Sequence, residues 1–345
     1  MVDLVIEGGR IVDGTGKTAY LGDIAVSAGK ILEIEEISGG GERRIDARGL
    51  VVAPGFIDSH SHSDLMLIAE PEARQKIMQG ITTEIVGQDG LGEAPIREED
   101  VENWRSYLSG LNGDPDIDWS WRSFGEYLDA IEAARPSTNV ASLVGHGNLR
   151  LSAMGMDARA PTDSELGEMK ALLRESLRQG ACGLSTGMIY PPCVYAASEE
   201  LTELCRVVSE ADGVFVIHMR NEGDALLESI EEVASIGASS GVKLHISHFK
   251  AAGKRNWGRS VQGLEAIERA REAGLSVTVD QYPYTAGSTF LSARLPSWMH
   301  EGGVDAMLDR LRDPEVRGRA YAEMTADGSF LLWGETVVTS VKTEA

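Results

Sequence analysis

From Gly55 onward, short apolar runs of strand character alternate with long segments of helical period. The runs fall at 55–62, 82–87, 138–147, 180–187, 213–220, 242–249 and 275–284. Between them lie helix candidates at Asp163–Gln179, Ser198–Ala211, Gly223–Ile236 and Ser260–Ala273. The first of these is opened by the N-cap candidates Thr162-Asp163-Ser164-Glu165. Strand–helix alternation repeated this often argues for an α/β chain with a parallel sheet, open or closed into a barrel. Seven such strands exceed half of a doubly wound sheet, and no G-x-G-x-x-G follows the first. A (β/α)8 (TIM) barrel is the expected architecture.

Residues 1–54 follow a different rhythm. Leu4–Glu7, Arg10–Val12, Gly22–Ser27, Lys30–Glu35 and Arg44–Val52 read as short strands. Asp13–Gly16 and Ser38–Gly41 read as turns between antiparallel neighbours. A β segment of this size has no room for a core of its own and must pack on something else. The expected division is therefore 1–54 and 55–345. Within the second part, 91–137 carries Trp104, Trp119 and Trp121 and the turn Asn112-Gly113-Asp114-Pro115. It reads as an excursion at the barrel mouth, with a helix around Arg97–Leu108.

Charge narrows the partners. Thirty-two basic against 54 acidic residues give a net charge of −22, which repels phosphate backbones and anionic lipid heads. Neither nucleic acid nor a membrane surface is an expected partner, and a small molecule is. Three cysteines, Cys182, Cys193 and Cys205, form no CxxC pair, hence neither a disulfide framework nor a zinc finger. The start Met1–Glu7 has no basic region or long apolar stretch, and no run approaches the roughly 18 residues of a membrane span. The cytoplasm is the expected location.

The strongest chemical signal is Gly55-Phe56-Ile57-Asp58-Ser59-His60-Ser61-His62-Ser63-Asp64. Residues two apart on a strand share a face, so His60 and His62 project together from the strand end, a natural clamp for a divalent metal. An exposed turn with two histidines is the blander reading. His218 shares a face with Val214 and Val216 near the end of its strand. By the same alternation His248 aligns with Val242, Leu244 and Ile246, whereas His245 has the opposite parity and reads as structural or helix-facing. Barrel sites are built at the C-terminal ends of strands, and four histidines on three strand ends are hard to explain as packing. Asp89, in Gly87-Gln88-Asp89-Gly90, offers a carboxylate just past another strand end; the Asp-Gly pair equally suits a turn.

Together with these motifs, Gly145-His146-Gly147-Asn148-Leu149-Arg150, Gly183-Leu184-Ser185-Thr186-Gly187 with Tyr190-Pro191-Pro192, His218-Met219-Arg220-Asn221-Glu222, Ser247-His248-Phe249-Lys250 and Asp280-Gln281-Tyr282-Pro283-Tyr284 give the chain its resemblance. It resembles the amidohydrolase superfamily, and within it the D-aminoacylase (N-acyl-D-amino-acid deacylase) family, from the N-terminal strands to about residue 290. The resemblance implies a zinc-dependent barrel with a small β-sandwich, part of it residues 1–54. It implies hydrolysis of the amide bond of N-acyl-D-amino acids, releasing a carboxylate and a free D-amino acid. His218 and His248 would hold the principal zinc, His60 and His62 a second, weaker position, and Asp89 would be a ligand. Lys250, Tyr190, Tyr282 and Ser288 would contact the substrate, although Lys250 also reads as a solvated lysine at a helix start and Tyr190 as a turn aromatic before Pro191. The alternatives are a cyclic-amide hydrolase of the dihydroorotase or hydantoinase kind and a non-catalytic metal-binding fragment. The first commonly bridges its metals with a carboxylated lysine, and Lys243 stands at the wrong end of its strand.

There are two departures from the family's pattern. Many members place cysteine where Asp89 stands, and a carboxylate is the harder ligand. The family also expects a further strand ending in an aspartate general base. The apolar run Leu331–Val341 supplies no such aspartate and follows the helix-rich stretch Gly302–Met324. The expectation is a barrel lacking its last strand and the C-terminal part of the sandwich, with the base beyond Ala345. Loss of a general base removes roughly 10²–10⁴-fold of rate, so the 345-residue chain is expected to turn over N-acyl-D-amino acids poorly or not at all. Family-like turnover by the isolated chain, followed by release of the free amino acid, would instead mean that a carboxylate such as Asp280 or Glu222 already serves as base.

Overall fold

Alternating apolar and polar residues in the first 56 positions build one small sheet. The computed structural model describes residues 2–35, 37, 39–325 and 336–339, and its contacts separate two units, Met1–Phe56 and Ile57–Ala345. In the first, β1 (Leu4–Ile11) pairs antiparallel with β2 (Tyr20–Ser27), and β2 antiparallel with β3 (Lys30–Glu35). The two strands expected at Leu4–Glu7 and Arg10–Val12 are one strand with a register shift between Ile6 and Gly9, where Gly8 takes φ +63°. Arg44–Val52 splits into β4 (Arg43–Asp46) and β5 (Val51–Val52), both parallel to β1. The glycines 39–41 therefore lead into a crossover and not a hairpin; Ser38 of the expected turn lies outside the described residues.

The second unit realises the strand–helix alternation. Its strands are β6 (Phe56–Asp58), β7 (Ile81–Val86), β8 (Asn139–Ser142), β9 (Val144–Gly145), β10 (Gly183–Gly187), β11 (Val214–His218), β12 (Lys243–Ile246) and β13 (Val277–Val279). They neighbour one another in chain order, β6-β7-β8 in one sheet and β9 to β13 in another. The run expected at 138–147 is shared between the sheets: β8 pairs with β7, and after Leu143 the chain moves over as β9 to pair with β10. Every registered pair here is parallel. Among the described residues, β6 and β8 are the edges of the first sheet and β9 and β13 those of the second.

The connections are helical. Two single turns, α1 (Met66–Ala69) and α2 (Arg74–Ile77), precede β7, and α3 (Val101–Asn112) and α4 (Phe124–Ala134) occupy the excursion before β8. α3 starts four residues later than the expected Arg97, and α4 was not foreseen. The Ser123 hydroxyl and Glu126 carboxylate close a capping box at its start. Trp104, Trp119 and Trp121 are all buried in this excursion. The crossovers are α5 (His146–Met154), α6 (Asp163–Arg178), α7 (Ser198–Glu210), α8 (Leu226–Ser240) and α9 (Ser260–Glu272), followed by α10 (Val304–Arg312) and α11 (Pro314–Met324). Thr162 caps α6 as its sequence suggests, its hydroxyl accepting the Glu165 N–H.

Register decides which side chains meet. Leu184, Phe215, Leu244 and Val277 are cross-strand neighbours, all buried in the main apolar cluster with residues of α6, α7 and α8. Full burial of side chains of this size contributes about 1.5–3 kcal/mol each, which fixes the helix-facing side of the sheet. The alternate row is Ser185, Val216, His245 and Thr278, so His245 shares the face of Val216 and His218. The expectation of a helix-facing His245 is thereby corrected: Leu244 and Ile246 face the helices, and His245 faces the other way. Of the expected apolar run Leu331–Val341, residues 331–335, 340 and 341 lie outside the described residues, and 336–339 have no regular structure. No helix among the described residues is long and apolar enough to cross a membrane.

Candidate metal centre

The turn after β7 carries the central group. Gly87, Asp89 and Gly90 all have left-handed backbones, at φ +75°, +58° and +76°. A Cβ on Gly87 would stand 2.2 Å from the Leu143 carbonyl oxygen, and one on Gly90 would stand 2.7 Å from Cys193 Sγ. Only glycine fits at either position. The Ser185 hydroxyl ties the turn together, donating to the Gly87 carbonyl and accepting the Gly90 N–H. Asn148 accepts the Gly92 N–H at 3.0 Å, and the Trp104 indole donates to the Gly92 carbonyl at 2.8 Å. Asp89 is thus a turn residue, as the Asp-Gly pair suggests, and the same turn aims its carboxylate inward.

That carboxylate stands between two histidine pairs. Asp89 Oδ2 is 3.6 Å from His60 Nε2 and 3.4 Å from His62 Nε2. Its Oδ1 is 3.9 Å from His218 Nδ1 and 3.8 Å from His248 Nε2. His60, His62 and Asp89 form one group able to hold a metal ion, and Asp89, His218 and His248 form another. Zinc–ligand bonds of about 2.0–2.1 Å in tetrahedral geometry put neighbouring ligand atoms about 3.3 Å apart. The observed spacings lie at or just above that value, too long for hydrogen bonds. The orphaned atoms agree: Asp89 Oδ1 and His218 Nδ1, which face each other across the site, are buried and make no hydrogen bond. A divalent cation fits this donor set.

His218 arrives by strand alternation at the end of β11. His248 does not. β12 ends at Ile246, and straight alternation would leave His248 on the helix side with Leu244 and Ile246. A left-handed backbone at φ +37° turns it back, and its N–H is held by the Asp280 carboxylate. The imidazoles close up accordingly, with ring centroids 4.4 Å apart for His218–His248 and 5.0 Å for His60–His248.

Burial and mutual charge set the protonation of the metal-free site. Burial pushes Asp89 upward, but His60, His62 and His218 prevail and hold it well below the carboxylate range. Burial likewise pushes His60 down, yet the Asp89 and Asp280 carboxylates raise it to about 10. At His218, burial, reinforced by His248, lowers the ring to about 4 against the pull of Glu222 and Asp89. Glu222 falls to about 2, its burial outweighed by His218, His248 and Lys250.

The residues expected around a substrate are placed unequally. Lys250 Nζ reaches Glu222 Oε1 at 2.6 Å and His248 Nδ1 at 2.9 Å, so it borders the centre. The ring of Tyr282 lies 5.6 Å from that ammonium. Tyr190 is buried, its ring edge-on to His218 with centroids 5.3 Å apart and its hydroxyl 3.1 Å from Thr289 Oγ1. Ser288 is exposed on the segment that carries Thr289. Glu222, Asp280 and His245 had been given no ligand or substrate role, although each lies in or beside a quoted motif. Behind the turn, His146 bonds Thr186 Oγ1 and Glu200 Oε1, and Arg150 bonds Glu200.

A model of the amidohydrolase family matches residues 43–329. The chain belongs to that family. It is 38% identical over 342 residues to an N-acyl-D-glutamate deacylase of Alcaligenes xylosoxydans xylosoxydans, covering 99% of this chain and 67% of that one. The solved N-acyl-D-glutamate deacylase of Bordetella bronchiseptica, complexed with zinc and a phosphonate mimic of the tetrahedral intermediate, is 42% identical. It superposes with a TM-score of 0.76 over 82% of this chain and 59% of its own. A D-aminoacylase is described with a binuclear metal centre activated by one metal and attenuated by a second. It is 38% identical at a TM-score of 0.75, over 83% of this chain and 60% of its own. The chain thus spans about three fifths to two thirds of the length of these amidohydrolases.

The shared carboxylate yields a direct test. Asp89→Asn preserves local turn hydrogen bonding but removes the anion, so zinc affinity should fall at least tenfold while the thermal melt of the zinc-free protein moves little. His218→Ala combined with His248→Ala should abolish tight zinc binding measured by elemental analysis. A variant Asp89→Asn that keeps its zinc and loses stability would make Asp89 a turn residue alone.

Proposed function

We propose that this amidohydrolase is a zinc-dependent hydrolase of the amide bond of N-acyl-D-amino acids, with His218, His248 and Asp89 holding the principal ion and His60, His62 and Asp89 a second, weaker one. The observation that carries the reading is the single carboxylate flanked by two histidine pairs, bordered by one lysine. A zinc ion bound there supplies a Lewis acid for the amide carbonyl and acidifies the attacking water. The chain's own residues do the rest. Asp89 presents one oxygen to each histidine pair. Glu222 Oε1 stands 2.9 Å from His248 Nδ1 and backs that ring, with Nε2 on the side of Asp89. Lys250 would meet the carboxylate of the amino acid, supported by its ammonium beside the centre, with Tyr282 next to it and Tyr190 edge-on to His218. Ser288 would join them from the exposed segment.

Neither remaining carboxylate at the centre is assigned the role of base. Glu222 is engaged by His248 and Lys250, and Asp280 by the His248 N–H and His245. The cyclic-amide reading is disfavoured by chemistry, because Asp89 occupies the anionic position between the histidine pairs. Lys243 pairs with Asp212 at 2.7 Å, at the start of β12. The preference for the D enantiomer is supported by the relatives and not by any spacing within the site.

Ligand binding to the zinc-loaded chain tests this independently of turnover. Calorimetry should show N-acetyl-D-glutamate binding in clear preference to the L enantiomer and to dihydrouracil. Lys250→Met should weaken that binding about tenfold or more, the loss expected for one charge-assisted contact. Equal affinity for dihydrouracil, or indifference to Lys250→Met, would refute the assignment.

A further inference from the structure

Asp280 follows β13 and gathers groups from three parts of the sheet. Its Oδ1 accepts the backbone N–H of His248. Its Oδ2 lies 2.8 Å from His245 Nε2 and 3.7 Å from His60 Nδ1. The other nitrogen of His60, Nε2, faces Asp89. The His60 ring therefore stands between two carboxylates, one inside the centre and one behind it. At 3.7 Å the Asp280–His60 contact is electrostatic and not a hydrogen bond, and His60 Nδ1 is a buried nitrogen without a hydrogen-bond partner. A neutral imidazole offers a lone pair at Nε2 only when its proton sits on Nδ1, and a carboxylate's charge on the Nδ1 side favours that arrangement.

His245 explains why Asp280 stays in place. Its ring is held at both nitrogens, by Thr278 Oγ1 at 2.8 Å and by Asp280 Oδ2 at 2.8 Å. Thr278 is its register partner on β13, so the sheet itself sets the His245 ring. Of the four imidazoles of the centre, that of His60 lies within 4 Å of the Asp280 carboxylate. His248 touches it through the backbone, and the His248 ring is backed by Glu222 instead.

We propose that Asp280, braced by His245, is the positioning residue of the His60–His62 metal position: its charge on the Nδ1 side of His60 favours the tautomer protonated at Nδ1 and so leaves Nε2 free toward Asp89. This rests on the metal-binding reading above and adds to it a division of labour. Asp280 serves one metal position and Glu222 the other. The variant Asp280→Asn separates the roles, because its amide oxygen still accepts the His248 N–H while its NH2 turns a donor toward His60.

Zinc titration against a chromophoric chelator, with elemental analysis of the dialysed protein, reads this out without turnover. The wild-type chain should bind two ions of unequal affinity. Asp280→Asn should keep the tighter one within about threefold and bind the second 10–100-fold more weakly, the usual cost of removing a ligand's supporting outer carboxylate. In the cadmium-loaded wild-type protein, nitrogen NMR of labelled histidine should show cadmium coupling at His60 Nε2 and a proton on Nδ1, a signature that needs no variant to fold. Two ions bound by Asp280→Asn with wild-type affinities would overturn the proposal and leave the metal reading standing. So would a wild-type chain that takes up one ion only, or coupling at His60 Nδ1. A wild-type chain that binds no zinc would instead overturn the metal reading itself.

Discussion

The buried carboxylate of Asp89 faces four imidazoles, and the local architecture of the second unit serves that arrangement. An isolated buried carboxylate costs several kcal/mol and survives only when opposite charge or a metal compensates it. Here the compensation comes from the strand ends after β6, β11 and β12, so the charge is balanced only when the sheet is in register. The turn that carries Asp89 needs a left-handed backbone at three of four consecutive residues, 87, 89 and 90. Two of them are glycines where a Cβ would strike neighbouring atoms. The hydroxyl of Ser185, on the interior row of β10, stitches that turn to the sheet. Asp89 is therefore both a structural and a chemical residue.

A second ring of groups stands behind the imidazoles. Glu222 and Lys250 back His248, and Asp280 with His245 backs His60. Two carboxylates on separate segments give the two halves of the centre independent supports. The pattern matches a general property of metal sites, in which the partner of the outer ring nitrogen fixes the tautomer and aim of the inner one. The lysine within this ring places a positive charge beside the centre of a chain whose net charge is −22.

Much of this was legible from residue order. The strand–helix alternation after Gly55 appears as expected, with the helices at 163–178, 198–210 and 260–272 ending within a residue of their expected bounds. The four histidines and Asp89, which the structure gathers into two groups able to hold a metal ion, stood out in the sequence because histidines at strand ends are conspicuous and Asp89 lies just past another strand end. What escaped was whatever depends on register or on single backbone angles. Alternation along β12 put His248 with Leu244 and His245 on the other side, which is right for the strand and wrong for the site, because one left-handed residue returns His248 to the centre. His245 could be placed only once its pairing with Val216 and Thr278 was known. Asp280 and Glu222 carry no pattern that separates a supporting carboxylate from a solvated one. In the first unit, the parallel pairing of β4 with β1 was missed because a glycine-rich link suits a hairpin and a crossover equally.

The central claim is that a carboxylate, and no thiolate, supplies the anionic ligand of this centre. Cys193 makes the claim testable, since it is a buried thiol packed against Gly90, the residue next to Asp89. X-ray absorption at the zinc edge of the metal-loaded chain measures the ligand atoms directly. The account predicts a first shell of nitrogen and oxygen only, at about 2.0–2.1 Å. A sulfur shell at about 2.3 Å would contradict it, showing that a cysteine and not Asp89 completes the site.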